Sequence, residues 1–335
     1  MTTHKAPLLE IDALTIDVMT AHGPRRAVDG VSLVLHGGDT LGIVGESGSG
    51  KSLTLRAIMG LLPKGVIQTS GRIVLRGVDV ATMTRRQRRA VCGKDIAMVF
   101  QDPMSSLNPV MRVGPQIVDG LTARRHLSYR DRRTRAIELM SRMGIPDPDR
   151  RFHAFPHQLS GGIRQRVMIA SAMACEAALM LCDEPTTALD VTIQDQILRL
   201  LAELCEQSGT SLLYVTHDLA VASQVCASIN VMYGGQLMES GPVADVFRSP
   251  LHPYTLGLLG AMPRVEHGKR RLVPIGGAAP ALGELPAGCP FAPRCILAEE
   301  ACERGRIDWR DMTDGRGVRC VRPLTDAIAP VEDQR

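Results

Sequence analysis

The chain has 335 residues, of which 44% are hydrophobic and 22% charged, a composition typical of a folded globular protein that excludes a largely disordered chain. Its 39 Lys and Arg residues are interleaved with 35 Asp and Glu residues, so the formal net charge is only +4. This charge is too weak and too mixed to indicate a nucleic-acid-binding surface, and no nucleic-acid partner is expected.

Short apolar segments alternate with amphipathic ones along the chain, a pattern typical of an α/β domain. In the N-terminal third, strands are predicted at residues 8–19, 31–35, 41–44, 73–75 and 96–100, and a helix at 52–62. Strand patterns then disappear between residues 114 and 176, where helical periodicity predicts an all-helical insertion. Further strands are predicted at residues 179–182, 211–216 and 229–233, and a helix at 192–207.

Two arginine-rich clusters occupy residues 85–89 and 130–135. Such clusters contact phosphate backbones in some proteins and form solvated helix faces in others. Neither cluster is interleaved with the aromatic residues that stack on bases, so the solvated face is the favoured interpretation.

The sequence predicts no membrane-spanning helix. The longest strongly apolar stretch, residues 167–182, is interrupted by Glu176 and falls short of the ~20 residues needed to cross a bilayer. The N-terminus lacks the basic start and long apolar run of a secretory signal. We therefore expect a cytoplasmic chain that reaches a membrane only through a partner.

A glycine-rich segment between the predicted strand 41–44 and the first helix fits the phosphate-loop pattern G-x-x-x-x-G-K-[S/T]. It reads Gly45-Glu46-Ser47-Gly48-Ser49-Gly50-Lys51-Ser52. Backbone N–H groups of such a loop, together with the helix N-terminus, bind phosphate. Lys51 is expected to reach the β- and γ-phosphates, and the Ser52 hydroxyl to ligate Mg²⁺. The alternative, a chance glycine-serine turn, is disfavoured by Gly-Lys-Ser at a helix start.

A second predicted strand, residues 178–182, runs directly into Asp183 and Glu184. Because adjacent side chains of a strand point to opposite faces, the two carboxylates are expected to have different tasks. Asp183 would hold the Mg²⁺ shell, and Glu184 would polarise the attacking water. His217 follows the predicted strand 211–216 and is a candidate γ-phosphate contact, with a purely structural histidine as the alternative.

Together with the phosphate loop, four further segments carry a resemblance to a known family. They read Phe100-Gln101-Asp102-Pro103-Met104-Ser105-Ser106-Leu107-Asn108-Pro109, Pro156-His157-Gln158-Leu159-Ser160-Gly161-Gly162, Asp183-Glu184-Pro185-Thr186-Thr187-Ala188-Leu189-Asp190-Val191-Thr192 and His252-Pro253-Tyr254-Thr255. On these segments the chain resembles the ATP-binding subunits of ABC transporters, specifically those of the peptide/nickel importer family.

The resemblance implies a P-loop NTPase fold of the ABC ATPase type, an α/β fold with a β-subdomain and an inserted α-helical subdomain. The expected nucleotide-binding domain covers residues 1–262, with the helical insertion at about 114–176. A small C-terminal extension, residues 263–335, carries four cysteines, and the proline-rich stretch 274–293 marks a boundary before the cysteine-bearing tail.

The family also implies a head-to-tail pair of subunits, with ATP held between the phosphate loop of one and Ser160, Gly161 and Gly162 of the other. The glycine pair permits close backbone approach, and the serine hydroxyl and backbone amides supply donors to the γ-phosphate. Gln101 would contribute to the Mg²⁺ site, sense the γ-phosphate and signal to the membrane subunits. Asp190 would contact the partner subunit.

The implied function is ATP hydrolysis that energises the import of dipeptides or oligopeptides. The implied partners are two membrane-spanning permease subunits, an extracytoplasmic substrate-binding protein and a second ATPase subunit in a heterodimer, at the cytoplasmic face of the inner membrane. Import of nickel or another solute is an alternative, since this subunit does not touch the cargo. A non-transport ABC ATPase acting on nucleic acid is disfavoured by the single cassette, the lack of long heptad arms and the modest charge.

Two positions depart from the common family pattern. Ile163 stands where the signature LSGGQ has glutamine and cannot donate a side-chain hydrogen bond, although a hydrophobic residue is familiar here in the peptide subfamily. The aromatic residue that usually stacks on adenine is missing from the loop after the first strand. His22, Arg25 and Arg26 are the candidates to replace it, each by its planar face.

The nine cysteines fall into two groups. Those in or beside the catalytic domain are expected to be buried packing residues: Cys92, Cys175, Cys182, Cys205 and Cys226. The others lie in the C-terminal extension, where a cytoplasmic location disfavours disulfides: Cys289, Cys295, Cys302 and Cys320. Their spacing is not the paired C-x₂-C of a zinc ribbon, and similar tails in the family imply a [4Fe–4S] cluster. Zinc, or no metal at all, are the alternatives.

Overall fold

The structure, a computed structural model, describes residues 6–121, 126–187, 189–262, 275–312 and 315–324. Its strands are β1 (Pro7–Thr20), β2 (Gly23–His36), β3 (Thr40–Val44), β4 (Val66–Leu75), β5 (Val78–Asp79), β6 (Ile96–Val99), β7 (Leu179–Asp183), β8 (Ser211–Thr216), β9 (Ser228–Tyr233), β10 (Gln236–Pro242), β11 (Arg310–Asp311) and β12 (Gly317–Val318). Its helices are α1 (Lys51–Met59), α2 (Arg85–Val91), α3 (Pro103–Ser106), α4 (Val113–Gly120), α5 (Tyr129–Arg142), α6 (Pro148–Arg151), α7 (Gly161–Ala174), α8 (Val191–Ser208), α9 (Leu219–Val225), α10 (Val243–Arg248) and α11 (Pro253–Gly260). Strands and helices alternate along much of the chain, as the sequence pattern predicts.

The chain divides into two compact units. The first unit lies within Met1–Glu10, Val34–Thr40 and Val74–Val215. The second unit lies within Ile11–Leu33, Leu41–Ile73 and Thr216–Arg335. The predicted domain boundary after residue 262 stays a prediction, because residues 263–274 lie outside the described residues.

The first unit contains a parallel sheet in the order β6-β7-β8, with Ile96 opposite Leu179 and Leu179 opposite Ser211. Every residue of β7 and β8 is buried, as expected for parallel strands covered on both faces. Helices α4, α5 and α7 pack against one another in the predicted helical insertion, and no strand occurs in residues 113–121 and 126–174. The arginine-rich segment at 85–89 lies on α2, a helix without buried residues.

The second unit contains β3 and β9 as a parallel pair, extended by antiparallel β10 and β12, and a further layer in the order β2-β1-β4. Its core combines apolar residues of β9, β10, α9 and α11 with residues from the C-terminal part of the chain, including Cys289, Phe291 and Ile307. The described residues between 275 and 324 therefore belong to the hydrophobic core and the strand pairing of this unit.

Two strands are longer than their sequence patterns predict. The predicted strand 31–35 is the end of the fourteen-residue β2, and the predicted strand 73–75 is the end of β4, which begins at Val66. The extra portion of β4 is mostly exposed, and that of β2 combines polar residues with the buried neighbours Ala27 and Val28, so neither shows the apolar alternation that marks a half-buried strand. Among the described helices, none has the length and apolarity required to cross a membrane.

Candidate functional site

The phosphate loop of the second unit joins β3 to α1 through a turn that requires glycine. Gly48 and Gly50 adopt positive φ angles of 79° and 98°, which glycine reaches without steric cost. At Gly45 an added Cβ would overlap the carbonyl oxygen of Met232, so the close approach of the loop to β9 excludes any larger residue. The backbone is thus shaped by glycine at both ends of the loop.

Lys51 is the first residue of α1, and its side chain is buried. Its Nζ donates to the carbonyl oxygens of Gly45 at 2.7 Å and Glu46 at 2.8 Å, and to Ser49 Oγ at 3.3 Å. The ammonium group is therefore fixed inside the loop, next to the N-terminus of a nine-residue helix, where backbone N–H groups and the helix dipole favour an anion. Ser52 follows it at the second position of the helix.

Two carboxylates at the end of β7 have different environments in the first unit. Asp183 is 2% exposed, whereas Glu184 is half-buried and has a φ of 46°, a strained conformation for a residue with a side chain. The Glu184 N–H donates to the carbonyl of Val215 at 3.0 Å. Its carboxylate accepts from the Thr187 hydroxyl at 3.1 Å and the Gln101 amide at 3.5 Å. The structure therefore brings Gln101 and Glu184 together.

Ser160, Gly161 and Gly162 form the beginning of α7, also in the first unit. Ser160 is the N-cap and is exposed, and a Cβ added at Gly161 would meet no atom within 4 Å. The open N-terminus of a fourteen-residue helix is a surface that binds phosphate oxygens. Its contribution to a partner subunit's ATP site stays a prediction.

His217 lies directly after β8, and its side chain is exposed in the second unit. The next residue, Asp218, caps α9 by accepting the backbone N–H of Ala220 at 2.7 Å. The second unit therefore carries the phosphate loop and His217, and the first unit carries Gln101, Asp183, Glu184 and the beginning of α7. The assigned roles of all these residues stay predictions.

The candidates for adenine stacking are not equivalent. Arg26 is held by Asp17 at 2.8 Å and Asp29 at 3.2 Å, and these hydrogen bonds and charges raise the pKa of its guanidinium. Arg25 is half-buried, and its side chain lies against Gly283, where an added Cβ would approach Arg25 Cδ within 2.6 Å. His22 is exposed in the turn between β1 and β2. Arg26 is thus the least suited of the three.

Three functional contacts were not predicted from the sequence. Gln165 on α7 is buried and donates to the carbonyl of Pro185, next to Glu184. Thr187 donates to the Glu184 carboxylate. Asp190 accepts the Ile193 N–H at 3.0 Å and so caps α8, a role that its position before a helix could have indicated. The Thr187 contact joins residues only three positions apart, whereas the contact of Gln165 with Pro185 depends on tertiary proximity, for which the sequence carries no local signal.

The prediction of a [4Fe–4S] cluster at Cys289, Cys295, Cys302 and Cys320 is wrong. Across the described ranges, no group of three or more His, Cys, Asp or Glu side chains is arranged to hold a metal ion. The four thiols line a common pocket of about 400 Å³ and form no disulfide. Burial raises the pKa of the Cys289 and Cys295 thiols, and that of the Cys320 thiol to about 11.

The described C-terminal residues pack on the core of the second unit, which accounts for their order without a metal. The Phe291 ring packs on Tyr254 and Tyr233, with centroids 5.2 and 5.4 Å apart, and β12 pairs with β10. Among the remaining cysteines, Cys92 is exposed rather than buried, and Cys175 is half-buried.

Two family models match the chain, one described as ABC transporter over residues 28–187 and one as oligopeptide/dipeptide transporter, C-terminal region, over residues 238–302. A putative peptide import ATP-binding protein of Brucella abortus is 46% identical over 330 residues, covering 95% of this chain and 98% of that protein. The chain belongs to the ABC transporter family. The dipeptide transport ATP-binding protein DppD of Escherichia coli is similarly 43% identical over 323 residues, covering 96% of this ABC transporter chain and 99% of DppD.

Solved structures agree with this assignment. The ATP-binding cassette MJ0796, in a dimeric post-hydrolysis state bound to ADP and Pi, matches with a TM-score of 0.64 and 28% identity, covering 70% of this chain and 98% of that chain. The predicted ABC ATPase fold is thereby confirmed, and this ABC transporter chain is an ATPase. The relatives are named as ATP-binding proteins, which agrees with the absence of an iron–sulfur site in the described residues.

Proposed function

We propose that this chain is the ATP-hydrolysing subunit of an ABC importer for dipeptides or oligopeptides. The observation that carries the proposal is the 43–46% identity to peptide import and dipeptide transport ATP-binding proteins over nearly the whole length of both chains. The match of the C-terminal residues to the oligopeptide/dipeptide transporter region supports a peptide cargo in particular, because the ATP-binding residues alone carry no information on the cargo.

Within this function, the phosphate loop binds the nucleotide phosphates through Lys51 and the backbone amides of residues 47–52. Ser52, Gln101 and Asp183 supply hydroxyl, amide and carboxylate oxygens, the ligand types that Mg²⁺ takes beside phosphate. Glu184 polarises the attacking water. Its hydrogen bonds to Thr187 and Gln101 and its constrained backbone hold the carboxylate in one orientation, which general base catalysis requires.

His217 contacts the γ-phosphate, and the beginning of α7 serves the ATP site of a second ATPase subunit, for which a heterodimer is proposed. Two permease subunits and an extracytoplasmic substrate-binding protein complete the importer. The chain then acts at the cytoplasmic face of the inner membrane and is held there by the permeases.

Purification of the tagged full-length chain from detergent-solubilised membranes tests this assembly. The expected result is co-purification of two permease subunits and a second ATPase subunit, with ATP hydrolysis stimulated by a peptide-loaded binding protein. An untagged strain provides the control. Stimulation by a nickel-loaded binding protein alone would favour the metal cargo, and recovery with ribosomes or nucleic acid instead of permeases would contradict the importer.

A further inference from the structure

Glu46, the second residue of the phosphate loop, is bound at each of its three polar groups. Its backbone N–H donates to the Tyr254 hydroxyl oxygen at 2.9 Å, and its carbonyl accepts from Lys51 Nζ at 2.8 Å. Its carboxylate Oε2 accepts from Arg294 Nη1 at 2.7 Å. All four residues belong to the second unit. Tyr254 and Arg294 lie 208 and 248 positions from Glu46, so the conformation of the loop entrance depends on residues far away in the sequence.

Arg294 comes from the C-terminal part of the chain, and its side chain is only 7% exposed. Beyond Glu46, its guanidinium donates to the carbonyl of Gly276 at 2.8 Å and to the Tyr233 hydroxyl at 3.1 Å. It also lies within 6.0 Å of the ring centroids of Tyr233 and Phe291. These contacts fix its position, and its hydrogen bond to Glu46 raises its pKa, so the group stays charged.

The aromatic cluster beneath this pair links both holders of Glu46. The rings of Tyr233 and Tyr254 lie 4.6 Å apart, and Phe291 packs on both. Tyr254, which accepts the Glu46 N–H, and Arg294, which binds the Glu46 carboxylate, are thus supported by one packed group. A displacement of this packed group would remove the contacts of Glu46 at both its backbone N–H and its carboxylate.

We propose that Arg294 is a positioning residue for ATP binding, through which the C-terminal region controls the phosphate loop. Two physical effects contribute. The ion pair orders Glu46, whose carbonyl binds Lys51, so less ordering cost is paid when the nucleotide binds. Arg294 also neutralises a carboxylate next to an anion-binding loop, where an unpaired negative charge would repel the nucleotide phosphates. The inference rests on the proposed ATP site at this loop.

Equilibrium binding of ATP to the full-length chain tests this role. Arg294→Ala should weaken ATP affinity about tenfold, or ~1.4 kcal/mol, and Arg294→Lys should weaken it less because a positive charge remains. The double variant Glu46→Gln, Arg294→Ala should recover much of the loss, because no unpaired carboxylate remains. Unfolding midpoints of the same variants separate the two roles, because a residue that merely stabilises the fold would change the midpoint and leave ATP affinity unchanged. The Lys variant also serves if Arg294→Ala fails to fold.

Arg319 offers a matched control in the same unit. It is buried, and it donates to the backbone carbonyls of Leu237 and Ile307 rather than to the phosphate loop. Arg319→Ala should lower the unfolding midpoint and leave ATP affinity unchanged. Wild-type affinity in Arg294→Ala, equal weakening in Arg319→Ala, or no recovery in the double variant would overturn the inference. If Lys51→Ala also bound ATP normally, the proposed ATP site itself would be wrong.

Discussion

The side-chain amide of Gln165 donates to the backbone carbonyl of Pro185, the residue after Glu184. Gln165 is 1% exposed and lies in the second turn of α7, the helix that begins at Gly161. This hydrogen bond joins the helix expected to contact a partner's ATP to the loop that carries the expected catalytic carboxylate. It is buried, so its loss leaves a carbonyl without its partner in an environment that water does not reach.

Gln165→Leu should therefore reduce the free energy of unfolding by about 1–2 kcal/mol. ATP turnover should also slow, because the Leu side chain cannot hold the Pro185 carbonyl, and the neighbouring Glu184 is then less restrained. Urea unfolding and single-turnover hydrolysis measure the two effects. The control is Gln207→Leu on the exposed face of α8, expected to change stability by less than about 0.5 kcal/mol. Equal stability of the two variants would show that the buried hydrogen bond is not important.

Glu184→Gln should slow ATP hydrolysis by at least about 10²-fold, since an amide cannot accept the proton of the attacking water. The phosphate loop is untouched, so ATP affinity should stay close to that of the wild type. The measurement is single-turnover hydrolysis in the complete transporter with the two ATP sites resolved. Glu206→Gln, an exposed change on α8, is the matched control. Near-normal turnover at the Glu184→Gln site would refute the assignment of the catalytic base.

Lys51→Ala and Ser160→Arg should impair different ATP sites of one transporter. The first removes the ammonium group fixed inside the phosphate loop of this chain. The second places a bulky side chain at the open beginning of α7 and leaves this chain's own phosphate loop intact. Photocrosslinking with an ATP analogue, resolved by subunit, distinguishes the sites. Loss of labelling at the same site in both variants would rule out the head-to-tail pair.

His252 provides a prediction for the pH dependence of stability. Complete burial lowers its pKa from 6.5 to about 3, and its Nδ1 accepts the Tyr254 N–H at 3.0 Å. Between pH 6.5 and 3 the unfolded chain binds a proton that the folded chain does not. Stability should therefore fall as the pH decreases through this window, by up to ~1.4 kcal/mol per pH unit.

His252→Asn keeps a helix-capping acceptor but does not titrate. The difference in unfolding free energy between wild type and this variant isolates the histidine, because neighbouring Glu239, whose pKa burial raises, is present in both. Urea unfolding between pH 7 and 4.5 should show the wild type losing stability relative to the variant. Parallel curves would mean that His252 becomes charged without cost in the folded state.

The sequence predicts those parts of the fold whose signals are local. The buried strands 179–182 and 211–216 are continuous apolar segments, and they appear as β7 and β8 with nearly the predicted bounds. The phosphate loop is recognised by residue spacing, and Gly48 and Gly50 have the backbone angles that this pattern requires. The polar beginning of β2 was missed because its residues do not alternate between apolar and polar.

Contacts between distant residues could not be predicted in this way. Arg294 lies 248 positions from Glu46, and no periodicity or spacing connects the two. The cluster at the four C-terminal cysteines was predicted from their grouping in the extension and from the family resemblance. The packing of Phe291 on Tyr233 and Tyr254, which joins that extension to the core of the second unit, has no local signal in the sequence.

ATP-driven uptake of a labelled dipeptide tests the proposed function most directly. Proteoliposomes would contain the complex that co-purifies with this chain, its binding protein on the substrate side and ATP on the opposite side. We predict uptake with the wild-type chain, loss of uptake with Glu184→Gln despite retained ATP binding, and normal uptake with Glu206→Gln. Uptake that persists in the Glu184→Gln complex, or wild-type ATP hydrolysis that never moves the dipeptide, would contradict the account.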